Sequence, residues 1–123
     1  MKKSNNQKEI TIKKELCNDK SKNNYYAKIN LNALQDALID LKTEGSIKLW
    51  LYMAKNQDNY TFALSSIDAI KWGIGSKGMY DRAVKDLKDK GYLVEVDPEK
   101  NKYLFYEKAR LDKRADVYDI TKV

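Results

Sequence analysis

The sequence predicts an α+β domain in which helices lead and a small β-hairpin follows. Three observations predict it. Apolar residues recur at helical spacing between Leu31 and Leu87. The pattern turns strand-like at Tyr92. Asp97-Pro98-Glu99-Lys100-Asn101 then places turn chemistry between two short strand-like runs. At 123 residues the chain holds one such domain and little more.

The elements follow in order. Residues 1–24 are rich in Lys and Asn and read as a basic flexible arm, with only Ile10, Ile12 and Leu16 as apolar anchors. Tyr25-Tyr26-Ala27-Lys28-Ile29 is expected to be extended. Leu31, Leu34, Ala37, Leu38 and Leu41 fall on one helical face, and Asn32 with Gln35 suits that helix's start. Gly45 is expected to end it and Ser46 to cap the next. Ile47 to Ala54 is apolar almost all round, which predicts a central buried helix ending in the polar turn Lys55-Asn56-Gln57-Asp58-Asn59. Tyr60 to Leu64 is a strand by composition, expected to join the hairpin as a third strand. Ser65 with Asp68 starts a short helix carrying Ile67, Ala69, Ile70 and Trp72. Gly73-Ile74-Gly75 breaks it. Ser76 caps a longer helix, Lys77 to Lys90, with Met79, Tyr80, Ala83, Val84 and Leu87 as its apolar stripe and Gly91 in the αL position that follows. Tyr92–Val96 and Lys102–Tyr106 are the hairpin strands. The last segment, 107–123, is a C-terminal extension whose Leu111, Ala115 and Tyr118 permit a helix.

Composition removes several functions. Histidine is absent and Cys17 is the single cysteine, so no Ser-His-Asp or Cys-His set, no four-ligand zinc site and no intramolecular disulfide can form. No cofactor is expected, and no metal site. The longest apolar run, Leu49 to Ala54, is six residues, far below the ~20 that span a bilayer. Met1-Lys2-Lys3-Ser4 has a basic start without an apolar stretch behind it, so no secretory signal is expected. The expectation is a cytoplasmic, non-catalytic protein without membrane contact. Of the net +6, residues 1–24 hold +4, from seven lysines against three acids. The body is close to neutral, so contact with a polyanion requires a few placed cations, not a broad positive face.

From Leu64 to Val94 the chain resembles winged helix-turn-helix regulators. A Leu-Ser start on the motif's first helix is matched by Leu64-Ser65, and a Gly-Ile-Ser-type turn by Gly73-Ile74-Gly75-Ser76. The Ser-x-x-Thr-Val-x-Arg-Ala opening of the recognition helix is matched by Ser76-Lys77-Gly78-Met79-Tyr80-Asp81-Arg82-Ala83. The closing Leu-x-x-x-Gly-Leu-Ile is similar to Leu87-Lys88-Asp89-Lys90-Gly91-Tyr92-Leu93-Val94. Gly75 is one residue more than the usual turn, and Gly78 weakens the helix's first turn by about 1 kcal/mol relative to Ala. The wider body, residues 25–106, resembles small winged-helix proteins of phages and plasmids in Gram-positive bacteria, and the Lys- and Asn-rich composition agrees with an AT-rich genome. The resemblance implies a winged helix-turn-helix with an additional N-terminal helix and a hairpin wing. It also implies sequence-specific binding to double-stranded DNA in a mobile element. There the protein would regulate transcription, or act as an origin-binding accessory factor for replication or conjugative transfer beside other proteins of that complex.

A major groove admits one helix, read by residues near its N-terminus. Ser76, Lys77, Gly78, Asp81, Arg82 and Lys85 are therefore the candidate contacts: Arg82 for guanine, Lys77 and Lys85 for phosphates, Asp81 for cytosine N4. An Asp81–Lys85 pair on a solvated face is the plain alternative. Lys100, Asn101 and Lys102 at the hairpin tip suit the neighbouring groove or backbone. Gly73-x-Gly75-x-x-Gly78 matches a dinucleotide fingerprint by letter, but a short helix precedes it where that motif needs a strand. Two other functions fit the same residues. One is a protein-interaction module with Arg82 in solvent. The other is a single-stranded nucleic-acid binder stacking bases on Tyr103, Phe105 and Tyr106. A homodimer is expected, paired through the Leu31–Leu41 helix or the Leu111/Ala115/Tyr118 stripe, since two half-sites supply specificity that one small domain lacks.

Overall fold

Short side chains with oxygen acceptors set the helix boundaries. In the computed structural model, which describes residues 8–15, 27–56, 58, 60–97 and 102–115, the Asn30 side chain accepts from the Ala33 amide at 3.0 Å and opens α1, Leu31–Asp40. The start is thus Asn30, not Asn32, because only Asn30 has the extended backbone that aims its side chain at the first free amides. The inward face also differs from expectation. Ala33, Ala37 and Leu41 are buried, whereas Leu31, Leu38 and Ile39 are 78%, 57% and 63% exposed. The apolar arc is broad, and its edge with two alanines lets the helix approach its neighbour closely.

Thr43 opens α2, Glu44–Ala54, by accepting from the Ser46 amide. Gly45 therefore lies inside α2 and does not end α1, which stops at Leu41. Ser46, expected as a cap, is buried in the helix, where its hydroxyl donates to Asp86 Oδ2 at 2.5 Å and accepts from Thr43 Oγ1. Leu49, Trp50, Tyr52, Met53 and Ala54 are buried, as a central helix requires; only Leu51 turns outward. The Trp50 indole N–H donates to the Glu107 carbonyl at 3.1 Å.

Residues 60–65 carry no strand, so among the described residues the sheet has two strands, not three. The segment's apolar residues are satisfied by ring packing instead: Phe62 meets Tyr52 edge-on at 6.0 Å, and Tyr60 stacks on Phe62 at 5.9 Å. Ser65 accepts from Asp68 N and opens α3, Ser66–Lys71. Of its expected apolar set only Ala69 is buried; Ile67 and Trp72 are exposed.

Ser76 opens α4, Lys77–Asp89, which buries Ala83 and Leu87 and half-buries Met79, Tyr80 and Val84. Its C-terminus closes on Gly91, at φ 83°, with Tyr92 N bonded to Leu87 O and Gly91 N to Lys88 O. That double bond satisfies two otherwise free carbonyls and needs the left-handed glycine. β1, Leu93–Asp97, and β2, Lys102–Phe105, then pair antiparallel, with Leu93 opposite Phe105 and a register shift between Glu95 and Asp97. The hairpin tip around Pro98, Lys100 and Asn101 lies outside the described residues, as do Cys17, Leu16, Tyr25, Tyr26 and Tyr118.

Among the described residues of the C-terminal segment, 107–115, the only helical element is a 3-10 turn at Leu111–Lys113, and Leu111 is exposed. Its charges explain why: it is held by polar bonds, not by an apolar stripe. Arg110 N donates to Gly91 O, and the Arg114 guanidinium grips Asp40 with both arms at 2.9 and 3.0 Å. Tyr92 OH also donates to Asp40. Burial opposes ionisation of this carboxylate, but Arg114, the Tyr92 hydroxyl and Lys90 outweigh it and hold its pKa below the ordinary 3.8. A lowered folded-state pKa adds stability above the unfolded value, and that stability is lost as pH falls through the folded value. Asp40→Asn is expected to cost about 2 kcal/mol at neutral pH, less than the roughly 3–5 kcal/mol of a fully buried broken pair. It should also flatten the acid limb of stability below about pH 4. Urea midpoints from pH 2 to 7 check both effects.

Among the described residues no helix is long and apolar enough to cross a membrane.

Candidate nucleic-acid interface

The turn between α3 and α4 is built to hold α4 in place. Gly73 sits at φ 117°, a backbone that side chains resist, and nothing stands within 4 Å of where its Cβ would be. Ile74 is buried and its amide donates to Ala69 O at 3.2 Å, so the turn is hooked into the core. From α2, Lys48 Nζ donates to the Gly73 carbonyl at 3.0 Å and pairs with Glu44 at 2.6 Å. Ser76 Oγ then accepts from Met79 N at 3.1 Å. Gly75 leaves room for the Met79 sulfur, which would stand 2.8 Å from a Cβ there. The glycine beyond the usual turn length is therefore filled by core sulfur.

With Ala83 and Leu87 inward, Lys77, Gly78, Asp81, Arg82 and Lys85 lie exposed on one face of α4, with Ser76 at its head. The six helix residues expected at the site are thus brought together. Their pairing differs from the expected Asp81–Lys85 bond. Lys77 pairs with Asp81 at 3.0 Å, and Lys85 pairs with Asp89 at 2.6 Å. The hydrogen bond from Lys85 to Asp89 raises the lysine's pKa, keeping it charged. Both pairs are exposed, so each lysine exchanges its carboxylate for a phosphate at little cost. Arg82 makes no hydrogen bond or ion pair among the described residues, and its Nη1 lies 3.5 Å from where a Gly78 Cβ would be. The absent side chain at Gly78 gives the guanidinium room to lie along the first turn.

The inner side of α4 is pinned. Asp86 accepts from Ser46 and pairs with Lys90 at 3.3 Å, and Lys90 donates to the Asp40 carbonyl. Lys88 pairs with Glu95 at 3.4 Å and lies over the Tyr103 ring, bracing the hairpin against the helix. In that hairpin Lys102 is exposed, while Lys100 and Asn101 fall outside the described residues. Tyr103 and Phe105 turn inward, Phe105 meeting Trp50 edge-on at 6.2 Å; Leu104 faces out instead. The strand therefore offers no row of free rings for base stacking.

Lys48, which braces the turn, escaped the sequence reading. Its signal was the Glu44–Lys48 helical spacing, which says nothing of Gly73 until the fold brings the two together. Among the described residues no group of three or more His, Cys, Asp or Glu side chains is placed to hold a metal ion. Comparison with protein-family models, curated proteins and solved structures finds no match.

Proposed function

We propose that this chain is a non-catalytic, cytoplasmic winged helix-turn-helix protein that reads double-stranded DNA with α4. The observation that supports it most is Arg82: an exposed guanidinium without a partner among the described residues, set along the first turn of a capped, braced helix. A guanidinium so placed matches the two acceptors of guanine in the major groove. Lys77 and Lys85 would take phosphates, and the hairpin would lie beside the adjacent backbone as a wing. The setting that fits the sequence is a mobile element, in transcription control or at a replication or transfer origin. Leu31, Leu38 and Ile39, exposed together on α1, are the face we assign to a homodimer, which would bring two copies of α4 to paired half-sites.

Fluorescence anisotropy on duplexes from the gene's own upstream region and nearest origin tests this. Affinity should fall steeply between about 50 and 200 mM salt, because phosphate contacts release counterions. Changing Lys100 and Lys102 together to Ala should weaken all sequences evenly and reduce the salt slope by about two. Salt-independent association, or no binding at low salt, would replace the DNA reader with a protein-interaction module.

A further inference from the structure

Among the described residues, one edge of β2 has no partner strand. Tyr106 N donates to Tyr92 O at 2.8 Å and Leu104 faces Val94, so alternate residues of β2 address β1. In an antiparallel ladder the residues between them turn their N–H and C=O the other way. Those residues are Tyr103 and Phe105, and neither has a backbone partner on that side among the described residues. Residues 60–64, which form no ladder, line the same groove as these two residues. The groove is open, with a volume of about 1100 Å³. Phe62, Leu64, Val84 and Ala54 line its apolar part. Its charged lining is three carboxylates, Asp58, Asp81 and Glu107, against one lysine, Lys102.

One segment of the chain has the complementary pattern. Lys8-Glu9-Ile10-Thr11-Ile12-Lys13-Lys14 alternates as a strand does, with Ile10 and Ile12 on one side. It carries three lysines against one glutamate. It forms no helix or strand of its own, and Ile10 and Ile12 stand 82% and 71% exposed. The chain also enters α1 at the groove's rim, where Asn30 N donates to Glu107 Oε2 at 3.3 Å. From Lys14 to Asn30 the chain reaches up to about 50 Å, several times the length of β2.

We infer that residues 8–14 add to that edge of β2 as a strand of the same chain. Ile10 and Ile12 enter the groove, and the lysines at both ends of the segment meet its acidic rim. Main-chain bonds to Tyr103 and Phe105 supply the docking, and the alternating isoleucines set the register. The groove shares Asp81 with the exposed face of α4, but the strand pairing itself is made by β2 and does not depend on DNA binding.

The full chain tests it, because Cys17 is the single thiol and carries a nitroxide without further substitution. In a ¹⁵N-labelled sample the label should broaden the amides of Thr61, Tyr103 and Phe105. Amide exchange at Tyr103 and Phe105 should be at least about tenfold slower than in the Ile10→Ser/Ile12→Ser variant. Neither isoleucine belongs to the buried core, so that variant keeps its fold, and unchanged amide shifts across α2 and α4 verify it. Equal exchange in the two proteins overturns the inference, whether because the edge stays open or because segment 60–64 closes it. Broadening seen only when labelled and unlabelled copies are mixed also overturns it, since the strand would then come from a second copy.

Discussion

Arg82→Ala is expected to weaken binding to the specific duplex by roughly 1–3 kcal/mol, about 5- to 150-fold, and to relax discrimination at the base pair it reads. The side chain is exposed and has no partner among the described residues, so the fold should not change and the melting temperature should stay within about 1 °C. Arg82→Lys separates two roles of the residue. Lysine keeps the charge but lacks the planar fork, so it should restore most of the non-specific affinity and little of the discrimination. Anisotropy against the specific site and a scrambled duplex at one salt concentration measures both. If Arg82→Ala leaves specific binding intact while the Lys100/Lys102 change abolishes it, the hairpin is the reader and α4 only the platform.

Gly91→Ala should be the most damaging small substitution for stability. Its φ of 83° already resists any side chain, at about 1–2 kcal/mol. The added methyl would also stand 2.3 Å from the Arg110 carbonyl oxygen and 3.2 Å from Arg114 Cγ. Backbone cannot swing aside as a side chain does, so the returning segment must shift, with a further cost of about 1–3 kcal/mol. That shift loosens the Arg110–Gly91 backbone bond and the Arg114 grip on Asp40. Together the loss is about 3 kcal/mol and a fall in melting temperature on the order of 15 °C. Gly73→Ala is the control. It shares the positive φ but meets nothing within 4 Å, so it should cost only the backbone part. Equal losses in the two variants, read by thermal circular dichroism, would show that the C-terminal segment is not seated on Gly91.

How much was legible in the sequence follows from the range of each interaction. Ser65, Ser76 and Gly91 were readable because a cap is satisfied within three to six residues. The exposed face of α4 was readable for the same reason: Ala83 and Leu87 inward leave Lys77, Asp81, Arg82 and Lys85 outward at fixed helical angles. Alternation puts Tyr103 and Phe105 on one side of β2, and packing of Phe105 against Trp50 turns that side inward. The pairing of charges on α4 was not readable. Asp81 has a lysine at equal spacing on each side, and sequence cannot choose between Lys77 and Lys85. The face of α1 expected to be buried was right only for Ala37 and Leu41; packing turned Ala33 inward with them and left Leu31, Leu38 and Ile39 in solvent. Residues 60–64 have strand composition, yet a strand exists only where another lies at ladder distance, and here ring packing on Tyr52 takes its place. Local hydrogen bonds and helical periodicity were thus enough for the elements, their ends and the candidate reading face. The partner of every long-range polar group was decided only by the tertiary structure: Lys48 on Gly73, Ser46 on Asp86, Arg114 on Asp40. These bonds join residues 25 to 74 positions apart, and no local pattern encodes which surfaces the packed core will bring within 3 Å of each other.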